Sequence, residues 1–425
     1  MTRKADGDRR RGAAPRLTLG LRLAWRNLWR NPRRTALTLS AVAFATLILV
    51  FMVALQRGGY GAMIESAVSV FTGHLQVQAQ GYHDDPGLEK ALDHASALEA
   101  LVAGVPGVAA VASRAEAYAL VSSPSRTYGA AIVGVEPDKE PALSTLPRSI
   151  REGRFLASPG ASEAVVGRTL ARNLSLSPGD ELTLLGQGRD GALAVATLSV
   201  VGVFESGSPD LDRTTVEIPL RRFQATFALG EGAHAVVARA HDLADADEVA
   251  RAVRRAVADR TGLVVLTWDQ LLEGLKQGIS MDAAIGWFLY AVLVLVVTFS
   301  ILNTFLMAVL ERTREFGVLL ALGTRPAFLG AVAMAESLLL LLLGLAAGLA
   351  LGVGLCAVTA HYGIAFSSNE EVLARWSLPA RIYPRLDLFS LTVGPAAVLV
   401  VTSLAALFPL LRIKRLRPVD AMKAV

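Results

Sequence analysis

Residues 283–310 read AAIGWFLYAVLVLVVTFSILNTFLMAVL, 28 positions without one Asp, Glu, Lys or Arg. A helix needs about 20 apolar residues to cross the hydrocarbon core of a bilayer, and this run exceeds that. Working outward, three more charge-free runs of sufficient length occur, at 35–56, 337–360 and 388–411. Mean hydropathy is +0.45 and only 19% of residues are charged, below the roughly one quarter of an ordinary soluble domain. The apolar residues are bunched rather than spread. The expected fold class is therefore an α-helical membrane protein with four spans. A large hydrophilic segment, 58–280, falls between the first two.

Charge gives these spans a direction. Residues 1–34 carry a net +9 and residues 412–425 a net +4, whereas 58–280 carries −8. Basic flanks stay in the cytoplasm, so both termini are expected there and the acidic domain on the far side. The pI near 9.5 is thus a topology signal, not a nucleic-acid footprint. Residues 1–34 are too long a lead for a signal peptide, and the run that follows is read as an uncleaved anchor. The single cysteine, Cys356, excludes an intrachain disulfide framework and a thiolate metal cluster.

The layout expected is a basic tail with an interfacial helix (1–34), a first span (35–57), the hydrophilic domain (58–280), a second span (281–310), a cytoplasmic helix (311–325), a third span (326–360), an outer loop (361–386), a fourth span (387–411) and a tail (412–425). Residues 1–16 read as a basic segment suited to anionic lipid. In 17–30, Leu17, Leu21, Ala24, Trp25 and Leu28 share a face opposite Arg22, Arg26 and Arg30, the pattern of a helix lying in the headgroup layer. The domain reads as mixed α/β. Strands are expected near 73–78, after the turn at 105–108 and at 263–266, helices at 95–103 and 245–259, and a hairpin from 180–185 and 193–204. Segments 57–71 and 268–282 are expected to prolong the first two spans.

Signatures of enzyme chemistry fail in turn. Gly186-Gln187-Gly188-Arg189-Asp190-Gly191 matches G-x-G-x-x-G, but a β-rich run follows it, so there is no helix N-terminus to cradle phosphate. No P-loop motif and no G-x-S-x-G occurs. His83-Asp84-Asp85 is the best metal candidate, and no partner at ligand spacing accompanies it; no metal or catalytic residue is expected. Gly344, Gly348 and Gly352, four residues apart in the third span, form a helix-packing face. Asn303, deep in the second span, is expected to bond another helix. The loop at 361–386 offers Trp376 and Tyr383 as interface anchors, and Pro395 and Pro409 are positioned to kink the fourth span.

Between the second and third spans stands Glu311-Arg312-Thr313-Arg314-Glu315-Phe316-Gly317-Val318-Leu319-Leu320-Ala321-Leu322-Gly323. A turn between antiparallel helices needs only about 2–8 residues, yet these keep helical spacing. Glu311/Arg314 and Arg312/Glu315 are spaced as i,i+3 ion pairs, Phe316, Leu319, Leu320 and Leu322 add apolar surface, and Gly323 is placed to end the helix. Two readings stand: a charged membrane hairpin, or a docking helix for a soluble partner.

Residues 303–343 resemble the permease family that includes MacB, FtsX and the lipoprotein-releasing LolC/LolE subunits. Its E-R-x-R-E-[IF]-G-x-L-x-A-[LM]-G hallmark is met by Glu311, Arg312, Arg314, Glu315, Phe316, Gly317, Leu319, Ala321, Leu322 and Gly323, with Glu336 following. The entry Ala24-Trp25-Arg26-Asn27-Leu28 with Arg33-Arg34-Thr35 and the exit 416–422 also match. Phe316 stands where the family usually has isoleucine. The resemblance, strongest to LolC/LolE, implies an inner-membrane ABC transporter permease with 311–323 as its coupling helix. It implies that ATP and Mg belong to a partner ATPase dimer, this chain itself binding no cofactor. It further implies a second permease subunit, membrane lipids, a periplasmic acceptor and lipoprotein-like cargo. By the same analogy, 58–135 with 230–280 forms one subdomain and 136–229 a second, β-rich one. MacB-like export, FtsX-like signalling to a cell-wall hydrolase and a membrane-anchored enzyme remain alternatives.

Overall fold

The computed structural model describes residues 22–365 and 381–407. Readings that fell on 1–16, Leu17, Leu21, Trp376, Pro409 and 412–425 lie outside the described residues. The helices that matter below are, in chain order, α1 (22–28), α2 (Pro32–Ala67), α3 (Ala95–Ala103), α4 (Ala246–Ala256), α5 (Glu273–Glu311), α6 (Thr313–Ala321), α7 (Pro326–Tyr362) and α8 (Leu388–Ala405). Among the described residues α2, α5, α7 and α8 are the four long and apolar enough to cross a membrane. Two units divide the chain near 59/60 and 279/280, and each is described by itself.

In the helical unit the ends follow from local chemistry. The Asp387 carboxylate accepts from the Ser390 amide at 2.8 Å and the Asp387 amide donates back to Ser390 Oγ at 3.0 Å, a capping box that starts α8. Pro326 opens α7 at a position where its missing N–H leaves no unmet donor. The interior is packed by Val42, Ala45 and Leu49 of α2, Val294, Val297 and Ile301 of α5, Leu341 and Leu345 of α7, and Val398 of α8. The three glycines of the third span sit on α2. A Cβ at Gly348 would lie 2.4 Å from the Ala43 carbonyl oxygen, one at Gly344 2.7 Å from Val42, and one at Gly352 3.2 Å from Val50. Only glycine lets these backbones approach so closely. Thr298 of α5 and Thr402 of α8 meet at 3.3 Å.

The second unit is one ten-stranded mixed sheet. Its strands are β1 (Leu75–Ala79), β2 (Val108–Ser122), β3 (Thr127–Val135), β4 (Ile150–Gly153), β5 (Glu163–Gly167), β6 (Glu181–Gln187), β7 (Leu193–Phe204), β8 (Thr215–Pro219), β9 (Ala235–Ala240) and β10 (Leu263–Thr267). They run β10-β1-β9-β2-β3-β8-β5-β7-β4, with β6 pairing both β2 and β7. The hairpin read at 186–191 is the β6–β7 turn, where Gly188 donates to Ala192 at 2.9 Å and Gly191 takes φ +77.

Two large cores and two smaller clusters share this sheet. One large core holds Leu75, Val77, Val236 and Val265 under α3 and α4, and the other runs from Ala115 to Leu229 around Leu182, Leu198, Phe223 and Phe227. Their seam falls inside β2, whose residues 108–114 pair with β9 and 115–122 with β3. The sequence reading divided the chain at 135/136 instead. No turn residue interrupts 108–122, so one strand serves both cores without a signal in composition. The first apolar helix continues to Ala67 and then through a π-helical turn, Val68–Thr72, as read for 57–71. Segment 268–282 prolongs the second span from Glu273, where α5 begins, and a separate short helix at Trp268–Leu271 precedes it.

Candidate functional site

The segment between α5 and α7 is shorter as a helix than its spacing implied. Glu311 closes α5, Arg312 leaves the helical conformation at φ −99, ψ 6, and α6 restarts at Thr313. The Arg312 side chain explains the break, because its guanidinium bonds Glu336 of α7 at 2.9 Å with both groups largely buried. At the far end Thr324 N–H bonds the Leu319 carbonyl and Gly323 N–H that of Leu320, each at 3.0 Å. This is a Schellman stop, and Gly323 at φ +92 supplies the left-handed residue it needs.

Restarting at Thr313 fixes which side chains face which way. Phe316 and Leu320 pack inward against Phe305 and Val309 of α5 and Leu329 and Ala333 of α7, and Gly317 is buried. Phe316, half-buried, thus spends part of its apolar surface on packing within the chain. Arg314, Val318, Leu319 and Leu322 face outward, and Leu322 is 78% exposed.

The charged residues pair differently from their i,i+3 spacing. Glu315 receives both guanidinium nitrogens of Arg30, at 2.7 and 3.1 Å, and Glu311 receives Arg34 at 2.8 Å. The Arg30 guanidinium holds the Glu315 carboxyl below the usual carboxylate range. The bend at Arg312 separates the spaced partners, and arginines from another element take their place. Arg30 follows α1 and Arg34 lies in the first turn of α2. Thr35 Oγ1 bonds the Leu28 carbonyl at 2.5 Å across that elbow. In α1, Ala24 and Leu28 are buried while Trp25 and Trp29 stay exposed, edge to face at 6.1 Å.

Asn303 is exposed on α5. Among the described residues it makes no hydrogen bond, and it faces outward from α5 on the stripe of Phe299, Met307 and Leu310. Among the described residues, then, Asn303 bonds no other helix. Of the candidate metal triplet, Asp85 is held by Lys90 at 2.8 Å.

Sequence reasoning passed over two features. One is the arginine pair just described: Arg30 and Arg34 are four apart, as are Glu311 and Glu315, a matched spacing visible in the sequence. The other is a buried cluster in the α/β unit. Arg114 of β2, 1% exposed, bonds the Glu140 carboxylate and the Phe71 carbonyl, and its guanidinium lies 4.6 Å from the Phe71 ring centre. Beside it Glu217 of β8 is fully buried, and among the described residues neither carboxyl oxygen has a hydrogen-bond partner. Burial first, and the Glu140 charge second, push the Glu217 carboxyl up to about 8. An arginine inside a largely apolar strand, with Glu116 two residues on, is the available signal.

Four apolar helices of spanning length, an α/β domain lying in chain order after the first, and a short exposed helix between the second and third define a polytopic membrane protein with a large hydrophilic insertion. Residues 35–256 match the MacB-like periplasmic core domain and 287–418 the FtsX-like permease C-terminal domain. The chain belongs to the MacB/FtsX/LolC family of ABC transporter permeases. It is 24% identical over 396 residues to the lipoprotein-releasing system transmembrane protein LolC of Xylella fastidiosa, covering 90% of this chain and 92% of that one. It is 28% identical over 402 residues to the macrolide export ATP-binding/permease protein MacB of Rhodospirillum rubrum, covering 88% of this chain and 60% of that one. The crystal structure of the periplasmic region of MacB from Actinobacillus actinomycetemcomitans aligns with 50% of this chain and 97% of its own, at TM-score 0.36 and 9% identity.

Proposed function

We propose that this chain is the membrane subunit of an ABC transporter that extracts lipoproteins, or similarly lipid-anchored cargo, from the inner membrane towards a periplasmic acceptor. ATP hydrolysis would come from a separate ATPase dimer that docks on α6. The observation that carries this reading is the outward face of α6. Val318, Leu319 and Leu322 are exposed apolar residues beside Arg314, which has no ion pair among the described residues, on a helix whose other side is packed. Such a patch fits an apolar groove on a soluble partner. The basic residues flanking the first and fourth spans support placing α6 and both termini in the cytoplasm.

The LolC likeness, which runs over nearly the whole of both chains, supports this cargo. The apolar helices suit it, because acyl chains already lie in the bilayer and reach a cleft between helices without a water-filled pore. Asn303 supports a second permease subunit. An outward amide without a partner in a lipid-facing stripe is unfavourable unless another helix supplies one. The MacB likeness supports export of peptides or lipophilic compounds as the second reading.

Reconstitution with a co-expressed ABC ATPase and a fluorescent triacylated lipoprotein tests the proposal. ATP-dependent release of the lipoprotein to a soluble carrier is the expected result. Release of an amphiphilic macrolide, with the lipoprotein left in the vesicles, would favour the second reading.

A further inference from the structure

We propose that Arg30 and Arg34 are positioning residues that brace α6 against the elbow between α1 and α2. Glu311, Arg312 and Glu315 then serve that brace instead of contacting a partner. The inference rests on reading α6 as the docking helix. It adds which charges of the segment hold the helix and which are left to meet something else.

The geometry assigns the charges one by one. Glu311 goes to Arg34 and Glu315 to Arg30, while Arg312 goes to Glu336 of α7. Of the four charges in Glu311-Arg312-Thr313-Arg314-Glu315, Arg314 alone has no ion pair among the described residues. The brace thus reaches α6 from two sides, the α1–α2 elbow and α7, while Phe316 and Leu320 pin it from beneath.

An isolated exposed ion pair contributes little, at most about fivefold in an equilibrium. Three features lift this arrangement above that. The Arg30–Glu315 pair is bidentate, which fixes orientation as well as distance. It is one rung of two, because Arg34–Glu311 holds the end of α5 just before the bend at Arg312 and Arg30–Glu315 holds the first turn of α6 just after it. The third pair, Arg312–Glu336, is largely buried, so its loss would strand a charge away from water. The elbow itself is seated through α1, whose exposed Trp25 and Trp29 suit the headgroup layer. The pose of α6 is in this way tied to the membrane surface through Arg30 and Arg34.

Charge-swap variants of the full chain, co-expressed with the ABC ATPase, decide the matter through permease-stimulated ATP hydrolysis at low ionic strength. R30E and E315R are each expected to reduce stimulation about fivefold or more, and the double variant R30E/E315R to restore it to within about twofold. R34E, E311R and their double variant provide the same test on the second rung. Membrane insertion of every variant is expected to match the parent. A pair of singles with no effect, or doubles that stay as impaired as the singles, would overturn the brace; the latter result would place the glutamates on the partner. L322D keeps the two readings apart. It removes apolar docking surface without touching the brace, so normal stimulation by L322D counts against docking at α6, whatever the swaps do.

Discussion

At the scale of single residues, the structure turns on what a charge finds near it. Glu311, Arg312 and Glu315 were legible as a charged motif, but their partners were not, because each is paired with a residue distant in the chain. Glu217 is the opposite case, a carboxyl that β8 buries with only Arg114 and Glu140 as ionisable neighbours. Its folded pKa of about 8 lies above the ordinary 4.5. The folded state therefore binds more protons than the unfolded chain between those values, and stability falls as pH rises through that window. Removing the charge by Glu217→Gln is expected to stabilise the protein at pH 7.5, on the order of 4 kcal/mol, and to leave it nearly unchanged at pH 4.5. Thermal unfolding of the purified chain at both pH values checks this. An equal shift at the two would show that Glu217 does not titrate in that range.

At the scale of elements, spacing predicted existence better than it predicted facing. The strands at 73–78 and 263–266, the helices at 95–103 and 245–259 and the 180–204 hairpin all lie where their patterns put them. Alternation and helical period are local, so they survive folding unchanged. Facing depends on where a helix starts, and the break at Arg312 re-aims α6 so that Phe316 points inward. The Gly344, Gly348 and Gly352 stripe was legible for the same local reason, although its partner α2 was not. Gly348→Val is expected to force α2 and α7 apart, because the new Cβ would meet the Ala43 carbonyl oxygen at 2.4 Å. Gly354→Ala is the control, since no atom lies within 4 Å of the added methyl. Gel filtration in mild detergent after stepped heating should show Gly348→Val aggregating at lower temperature, with Gly354→Ala matching the parent. Strand β2 shows the limit of element reading, because a single uninterrupted strand carries the seam between two cores.

At the scale of the whole molecule, the four spans were legible because a charge-free run of 20 or more residues has few other homes. The direction of the chain rests on summed charge, which no pairwise contact reports. A reporter fused near Gly188 is expected to be active outside the cytoplasm and one near Arg314 inside it, and any other combination would invert the topology. Cargo and partners lie beyond hydropathy, and there the family likeness supplies what the residues alone do not. The central claim is that α6 meets an ATPase with its outer face. Incorporating the photoreactive residue p-benzoylphenylalanine at Leu322, and separately at Phe316, tests this most directly in membranes holding both proteins. Cross-linking to the ATPase from position 322 but not from 316 is the predicted result. Equal cross-linking from the two positions, or cross-linking from 316 alone, would contradict it.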